Sequence, residues 1–441
     1  MSTLALSEPT GSVTPSGPPP VPCRLCGHPE LVSVLDLGAS PPCELFLRAD
    51  QLDDPEPTYP LHLRICPECL LLQIPALILP EETFVDYAYY SSFSDSWVQH
   101  ARTFVHQAIT TLGLDADSFV VEVASNDGYL LQHFVAGGVP CLGIEPSVNV
   151  SVAAREKGVD TRTAFLDEAV AASVVAEHGH ADLVVANNVY AHIPDLLGFT
   201  RALRQLVADH GRVSIEVHHA LNLVADAQFD TIYHEHFQYY TVLSAQRALA
   251  TAGLVLTDVE LLPTHGGSIR LWSQPAEGDP VVQPSVDQVI ATERAAGLDR
   301  VQGYSSLVER THQIRRALVA FLIDCVERGV SVGGYGAPGK GNTLLNFCGI
   351  RPDLLPWVVD RNPYKHGRYT PGMRIPVLHP DEIAARKPEY ILVLPWNLRT
   401  EISAQLAWTS QWGAKLVYPL PRLTVVEAGV EARAADPAPE N

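Results

Sequence analysis

Two imidazoles, a carboxylate and a phenol lie within four consecutive residues near the middle of the chain, Tyr233, His234, Glu235 and His236. Such a set supplies a general base, a partner that raises its basicity and a hydrogen-bond donor for a developing oxyanion. His236 lies two positions after His234 rather than four, so the zinc-protease pattern H-E-x-x-H is not met. His192 follows a predicted strand, and we expect it at the same sheet edge. The competing interpretations are a solvated polar loop and an adventitious metal site.

Two C-x2-C pairs, Cys23 with Cys26 and Cys66 with Cys69, are separated by 39 residues. Four thiolates suit a tetrahedral zinc ion and leave no open coordination position. The intervening segment is longer than the roughly 15–20 residues of common zinc ribbons. We still predict a structural zinc site that supports folding rather than catalysis, with unligated thiols or a redox pair as the alternatives. Cys43 lies between the pairs without a partner in the sequence.

A turn of small and polar residues follows the predicted strand that ends at Val123. Only Gly128 fills a glycine position, so the turn is not G-x-G-x-x-G. The next predicted strand ends at Glu145, whose carboxylate is placed to accept hydrogen bonds from a ribose diol. This pattern favours S-adenosylmethionine (SAM) modestly over NAD, because SAM has no pyrophosphate, and a turn that binds nothing is the alternative. The predicted cofactor contacts are Glu122, Ser125, Asn126, Asp127, Gly128, Glu145, Asn187 and Asn188.

A glycine-rich segment after a later predicted strand contains a dinucleotide-binding pattern. Gly334, Gly336 and Gly339 match G-x-G-x-x-G, and Asp360 lies 21 residues past Gly339 at the end of the next predicted strand. The same segment fails as an ATP-binding loop G-x-x-x-x-G-K-[ST], because Gly341 stands where a hydroxyl side chain is required. NAD binding therefore remains an alternative for this segment, whereas ATP hydrolysis is not expected.

Both patterns in this segment indicate a nest of backbone amides at a helix N-terminus, with a lysine nearby. Such a nest suits a phosphate or a pyrophosphate, and the alternative is a tight strand-to-helix turn without a ligand. The predicted substrate contacts are Tyr335, Gly336, Pro338, Gly339, Lys340 and Asn342.

The whole chain has 441 residues and carries 50 Asp and Glu against 30 Lys and Arg, a formal net charge of −20. This balance argues against a nucleic-acid partner, which needs clustered basic residues. No apolar run reaches the roughly 18 residues that span a bilayer, and no signal peptide is visible, so we expect no membrane partner and a cytoplasmic location. Eight cysteines in this length do not indicate a disulfide-rich protein.

Composition and periodicity divide the chain into five segments. Residues 1–20 and 428–441 hold few large apolar side chains and are predicted to be disordered tails. Residues 21–80 are rich in proline, contain five of the eight cysteines and form the predicted zinc-binding module. Residues 81–280 and 281–427 each alternate short β-rich runs with amphipathic stretches, which indicates βαβ units and two open parallel sheets. The predicted strands are 119–123, 140–144, 181–186 and 211–216 in the first unit and 330–334, 357–360, 390–394 and 415–418 in the second.

In this order, the motifs resemble those of the three-domain SAM-dependent sugar C-methyltransferases of antibiotic deoxysugar pathways, over about residues 21–425. The resemblance lies in the four-cysteine module, E-V-A-S-N-D-G (122–128), N-N-V-Y-A-H-I-P-D (187–195), Y-H-E-H-F (233–237), G-Y-G-A-P-G-K-G-N-T (334–343) and V-V-D-R-N-P-Y-K-H-G-R-Y (358–369). Members of that family methylate a ring carbon, usually C3, of a nucleotide-linked 4-keto-6-deoxysugar.

The resemblance implies an α/β fold with a small N-terminal four-cysteine zinc module, a central class I SAM-methyltransferase doubly wound sheet and a C-terminal Rossmann-like sheet. It implies SAM and structural Zn²⁺ as cofactors and a (d)TDP-linked sugar as substrate. His236 would be the general base, with Tyr233, Glu235 and His192 as active-site partners. The C-terminal sheet would close over the nucleotide sugar without holding NAD, its nest facing the diphosphate or the sugar. A monomer is assumed, since no motif reports on oligomerisation.

Three alternatives remain open from the sequence. The same family includes C5-methyltransferases, whose motifs would look alike. An NAD-dependent oxidoreductase could use the G-x-G-x-x-G loop and Asp360. A scaffold built on the zinc module would need none of the histidines.

Overall fold

The computed structural model describes residues 21–83 and 90–429. The four cysteines lie in the loops of a four-stranded antiparallel sheet. One cysteine pair precedes the first strand, and the other joins the second strand to the third. The predicted tails, 1–20 and 428–441, lie outside the described residues except for 428 and 429. The elements of this module are β1 (Val32–Ser40), β2 (Tyr59–Ile65), β3 (Leu72–Gln73) and α1 (Pro80–Thr83).

The middle of the chain forms a seven-stranded sheet, as the alternating apolar runs predict. Its parallel strands are almost continuously buried, which explains their runs of valine and isoleucine. The elements are α2 (Asp95–Leu112), β4 (Val120–Val123), α3 (Leu131–Ala136), β5 (Cys141–Glu145), α4 (Val148–Glu156), β6 (Thr161–Thr163), α5 (Glu168–His178), β7 (Ala181–Asn187), α6 (Leu196–Leu206), β8 (Val207–His218), α7 (Ala220–Ala225), β9 (Gln238–Tyr239), α8 (Val242–Ala250), β10 (Leu254–Leu262) and β11 (Ser268–Pro275).

The strand order of this sheet is β10-β11-β8-β7-β4-β5-β6. Strands β4 to β8 are parallel to one another, and β11 runs antiparallel between β8 and β10. The strand order reverses beside β4, so the carboxyl ends of β4 and β7 border a crevice where open α/β sheets bind ligands. Strand β9 leaves this unit and pairs with β3, which fixes the cysteine module against the loop that carries the histidines.

The last part of the chain forms a six-stranded sheet of order β14-β13-β12-β15-β16-β17, parallel except for β17. Within the described residues, no helix is both long and apolar enough to cross a membrane. The elements are α9 (Pro284–Ala295), α10 (Ser306–Glu327), β12 (Val332–Tyr335), α11 (Gly339–Cys348), β13 (Val358–Val359), β14 (Val377–Leu378), α12 (Glu382–Arg386), β15 (Tyr390–Val393), α13 (Arg399–Gln405), β16 (Lys415–Tyr418) and β17 (Thr424–Glu427).

The sequence places the start of the third domain at residue 281, but the first helix after that point packs elsewhere. Val286, Val289 and Ile290 of α9 belong to the apolar core of the middle sheet, whereas α10 packs into the core of the third sheet. The change of core therefore falls between α9 and α10. Periodicity cannot locate it, because it shows that a helix is amphipathic and not which sheet covers its apolar face.

Candidate functional site

A cleft of about 650 Å³ lies between the carboxyl edge of the middle sheet and the glycine-rich loop of the third domain. It is bordered by the turn after β4, the ends of β5 and β7, the loop that carries the histidines and the start of α11. The site therefore joins parts of the chain that the sequence identified separately.

The turn after β4 is fixed in an unusual conformation by the acid at the end of β5. Ala124 and Asn126 have φ angles of 56° and 50°, in the left-handed region that costs energy for residues with side chains. Glu145 compensates, because its Oε2 accepts a hydrogen bond from the Asn126 amide at 2.9 Å and its Oε1 accepts one from the Ser147 amide at 2.8 Å. Burial raises the pKa of this carboxyl group above its usual range.

Four of the eight predicted cofactor contacts line the cleft, namely Asn126, Glu145, Asn187 and Asn188. The other four, Glu122, Ser125, Asp127 and Gly128, are not among the residues that line the cleft. Glu122 is buried, and Ser125 lies beneath Gly143, where an added Cβ would be 2.3 Å from the Ser125 hydroxyl. Asp127 forms an ion pair with Lys157 at 2.8 Å. The sequence pattern located the turn, but it did not show which of its side chains face outward.

The two asparagines at the end of β7 have side-chain atoms that form no hydrogen bond with the described residues. Asn188 has a φ of 54°, and both its side-chain oxygen and nitrogen are buried without a hydrogen-bond partner among the described residues. The side-chain oxygen of Asn187 is likewise buried without a hydrogen-bond partner among the described residues. Because buried polar groups are nearly always hydrogen-bonded, these atoms fit a polar ligand such as SAM in the cleft.

His236 and Tyr233 form a hydrogen-bonded pair at the wall of the cleft. The Tyr233 hydroxyl is 2.7 Å from Nε2 of His236, and Nδ1 of His236 is 3.0 Å from the carbonyl oxygen of Thr231. A carbonyl only accepts, so Nδ1 carries the proton and Nε2 is the lone pair that accepts from Tyr233. Burial, with nearby His192 and His218, holds the pKa of His236 well below its usual range. The result is a neutral imidazole whose basic nitrogen, Nε2, accepts a hydrogen bond from the Tyr233 hydroxyl.

Two further imidazoles lie near His236 and were not predicted as site residues. The ring of His218 lies 5.3 Å from that of His236 and 5.3 Å from that of His265, between centroids. The predicted partner His192 is closer, at 4.7 Å from His236. His265 follows β10, and only the pairing of β10 with β11 and β8 brings it to this edge. Local sequence carries no signal of that pairing.

Glu235 points toward the cysteine module. Its Oε2 accepts a hydrogen bond from the Cys43 thiol at 3.3 Å, so Cys43 has a partner that the sequence did not show. Burial raises the pKa of Glu235 to about 7, and the nearby charge of Glu44 adds to the effect. His234 turns away, with Nε2 placed 3.1 Å from the carbonyl oxygen of Tyr59. Glu235 thus links the loop that carries the histidines to the cysteine module.

The glycine-rich loop of the third domain reaches the cleft at Pro338, Gly339 and Lys340. The other three predicted substrate contacts, Tyr335, Gly336 and Asn342, are held by the protein itself. The Tyr335 hydroxyl donates to Gln405 at 2.8 Å, and the Asn342 amide donates to the Cys43 carbonyl at 2.7 Å. A Cβ added at Gly336 would lie 2.6 Å from Pro395.

Asp360, the acid expected to bind a ribose, is also engaged within the protein. Its Oδ2 accepts a hydrogen bond from the Ala337 amide at 2.7 Å, and its Oδ1 accepts one from the Asn362 amide at 2.8 Å. This carboxylate fastens the glycine-rich loop to β13.

The four predicted metal ligands come together as a compact cluster. The sulfur atoms of Cys23, Cys26, Cys66 and Cys69 all lie within 4.8 Å of one another, with 3.4 Å between Cys23 and Cys69 and 3.5 Å between Cys26 and Cys66. A Zn–S bond of about 2.3 Å in a tetrahedron separates sulfur atoms by about 3.8 Å, so the cluster fits a zinc ion. Cys43 is not part of it.

Comparisons with known proteins cover nearly all of the described chain. Three family models match in sequence, "Putative zinc binding domain" at residues 23–84, "Methyltransferase domain" at 97–259 and "C-methyltransferase C-terminal domain" at 263–421. The C-methyltransferase NovU of Streptomyces niveus is 33% identical over 406 residues, which cover 92% of this chain and 97% of NovU.

Two solved structures are similar to part of the chain. Magnesium protoporphyrin IX methyltransferase from Synechocystis, with bound SAH, is 14% identical with a TM-score of 0.32 over 40% of this chain and 82% of its own. A SAM-dependent methyltransferase from Anabaena variabilis is 14% identical with a TM-score of 0.33 over 46% and 99%. The family assignment depends on NovU and the three models, and not on these two structures.

Proposed function

The chain belongs to the SAM-dependent C-methyltransferase family, and from this premise we propose that it methylates C3 of a (d)TDP-linked 4-keto-6-deoxysugar in natural-product biosynthesis. One observation carries the proposal. The turn after β4, with Asn126 and Glu145, and the His236–Tyr233 pair line the same cleft. A base and a methyl donor can therefore act on one bound carbon.

The chemistry needs a base that is neutral near pH 7, and His236 supplies it. A ketone at C4 acidifies the proton on C3, and Nε2 of His236 can accept that proton because Nδ1 is held by Thr231. SAM supplies an electrophilic methyl group when it is bound. The Tyr233 hydroxyl, which donates to Nε2, turns away to free that lone pair for the C3 proton and can then hydrogen-bond the enolate oxygen.

The proposed roles of the remaining residues follow from their positions. Asn126, Glu145, Asn187 and Asn188 would bind SAM from the middle sheet, and His192 would support the base at 4.7 Å between ring centroids. Glu235 would hold the catalytic loop through Cys43. Pro338 and Gly339 would contact the nucleotide sugar from the third domain. The zinc cluster would stabilise the module that carries Cys43, without taking part in the reaction.

The decisive experiment offers the protein SAM and a panel of (d)TDP-linked 4-keto-6-deoxysugars. Mass spectrometry detects the gain of one methyl group, and NMR assigns its position. We expect methylation at C3, a loss of turnover of at least 100-fold in H236N with unchanged SAM affinity, and full activity in H106N, which alters an exposed histidine on α2.

Each other outcome overturns a stated part of the proposal. Methylation at C5 would replace the C3 assignment by the alternative regiochemistry. Binding of NAD without binding of SAM would overturn the methyltransferase function and favour an oxidoreductase. Retained activity in H236N would move the role of base to another residue, first His192.

A further inference from the structure

Two half-buried lysines of the third domain differ in their hydrogen bonding. Nζ of Lys365 donates to the Ala337 carbonyl at 2.9 Å and lies 3.3 Å from the carboxylate of Glu44. Nζ of Lys340 is fully shielded from solvent and has no hydrogen-bond partner among the described residues. An ammonium group has three donors, and leaving all of them unused in a buried site is costly. Lys340 therefore lacks an acceptor that Lys365 has.

The surroundings of Lys340 hold its charge without satisfying its donors. Nζ lies over the Trp396 ring, 5.3 Å from its centroid. The nearby acid, Asp230, accepts a hydrogen bond from the Trp396 indole at 2.6 Å through Oδ2, while its Oδ1 has no partner among the described residues. The Asp230 charge favours the ammonium form, and burial opposes it and lowers the pKa of Lys340 overall. The cation is thus placed by Trp396 and Asp230 with its donors still free.

Lys340 borders the cleft that contains the proposed base, His236. It lines the same cleft as His236, His218 and His265, and its charge contributes to lowering the pKa of each of these histidines. All three are held mainly by burial in the neutral form. A cation therefore borders the cleft together with three neutral imidazoles.

We propose that Lys340 is a catalytic residue whose ammonium group hydrogen-bonds the C4 oxygen of the substrate and stabilises the enolate. This inference rests on the proposed function and narrows the predicted contact of Lys340 with the diphosphate or the sugar to one oxygen of the sugar. When Nε2 of His236 takes the C3 proton, the C–H electron pair forms the C3–C4 double bond and the carbonyl pair moves to oxygen. Lys340 keeps its proton throughout, and Asp230 stabilises its charge.

The same electron pair then forms the new bond from C3 to the methyl carbon, and the C4 carbonyl is restored. The bond from the methyl carbon to sulfur breaks, so that S-adenosylhomocysteine leaves and the proton on His236 passes to solvent. Enolate formation is the step that Lys340 accelerates, because its charge is felt most strongly when the oxygen becomes negative in a site without bulk water.

Hydrogen exchange at C3 measures that step without methyl transfer. The protein is loaded with S-adenosylhomocysteine, given the ketosugar that it methylates in D2O, and followed by NMR. We expect K340M to exchange at least 100-fold more slowly than the wild type while binding dTDP within twofold of it. K415M, at an exposed lysine paired with Glu427, serves as the control and exchanges like the wild type.

Unchanged exchange in a K340M protein that still binds SAM would overturn the inference, and weaker dTDP binding with unchanged exchange would restore the diphosphate role. If K340M fails to fold, K340R and K340Q carry the test. Arginine retains a cation and glutamine does not, so exchange must fall much further in K340Q. A wild-type protein that exchanges no ketosugar would instead overturn the proposed substrate class.

Discussion

The turn after β4 and the turn after β12 are built alike and lead to different surroundings. Each joins a parallel strand to a helix, and each is fastened by the acid at the end of the neighbouring strand. Glu145 accepts two backbone hydrogen bonds at 2.9 and 2.8 Å, and Asp360 accepts two at 2.7 and 2.8 Å. By the hydrogen bonds of these acids alone, the two turns are equivalent.

The space in front of each turn is what differs. The turn after β4 opens on the cleft, where buried atoms of Asn187 and Asn188 lack partners among the described residues. The turn after β12 borders the cleft at Pro338, Gly339 and Lys340, but the space beside its glycines is filled by the protein. Pro395 lies against Gly336, and Cys43 would be 2.7 Å from a Cβ added at Gly339. The glycines that read as a dinucleotide fingerprint therefore allow close packing of chain on chain, as glycine allows close approach of a ligand.

The largest expected effect tests this contrast with one matched pair of variants. E145Q removes a charge that holds two backbone amides, each worth about 1.5–3 kcal/mol, and its amide group cannot accept both hydrogen bonds. We expect the dissociation constant of SAM, measured by calorimetry, to rise about 100-fold. D360N removes the equivalent charge from the other turn and should leave SAM affinity within about twofold. Equal losses in both variants would contradict the contrast.

The sequence was informative where the signal is local. The buried apolar runs predicted β4, β5, β7 and β8, and the C-x2-C pairs predicted the sulfur cluster, because burial and ligand pairing act between near neighbours. The environment of the turn at Gly336 depends on Pro395, which lies in the loop after β15. Spacing shows that a glycine is required but does not show whether a ligand or the chain itself comes close.

The candidate site shows the same difference between local and distant contacts. Tyr233 and His236 are three residues apart and form a hydrogen bond. His265 enters through an antiparallel strand pair, and Cys43 enters from the zinc module, about 190 residues before its partner Glu235. Contacts between distant segments are set by tertiary packing, and a single sequence contains no periodic signal of them.

The second expected effect is on stability and concerns the filled turn. G336A combines a φ of +81° with a Cβ placed 2.6 Å from Pro395, so we expect the free energy of unfolding in urea to fall by about 2–3 kcal/mol. G413A has a similar φ of +75° with nothing within 4 Å of the added Cβ, and should cost only about 1 kcal/mol. If both cost the same, the turn after β12 is not packed against Pro395.

A smaller effect is expected from pH at the open turn. Burial raises the pKa of Glu145, so this carboxylate protonates at a higher pH than an exposed one and then loses an acceptor for a backbone amide. SAM affinity should fall as the pH falls, by about threefold between pH 7.5 and 5.5 by calorimetry. D360N should show the same slope, and E145Q should show a flatter one. An unchanged slope in E145Q would assign the titration to another group.

The smallest expected effect is the absence of a dinucleotide signal at the filled turn. NAD added to the full chain should give no heat of binding, because Pro395 occupies the approach to Gly336. SAM added to the same sample should bind with one site per chain, which shows that the protein is folded and that the open turn is competent. NAD binding that D360N abolishes would show that the packing seen at Gly336 yields to a ligand, and the two turns would then differ in occupancy rather than in kind.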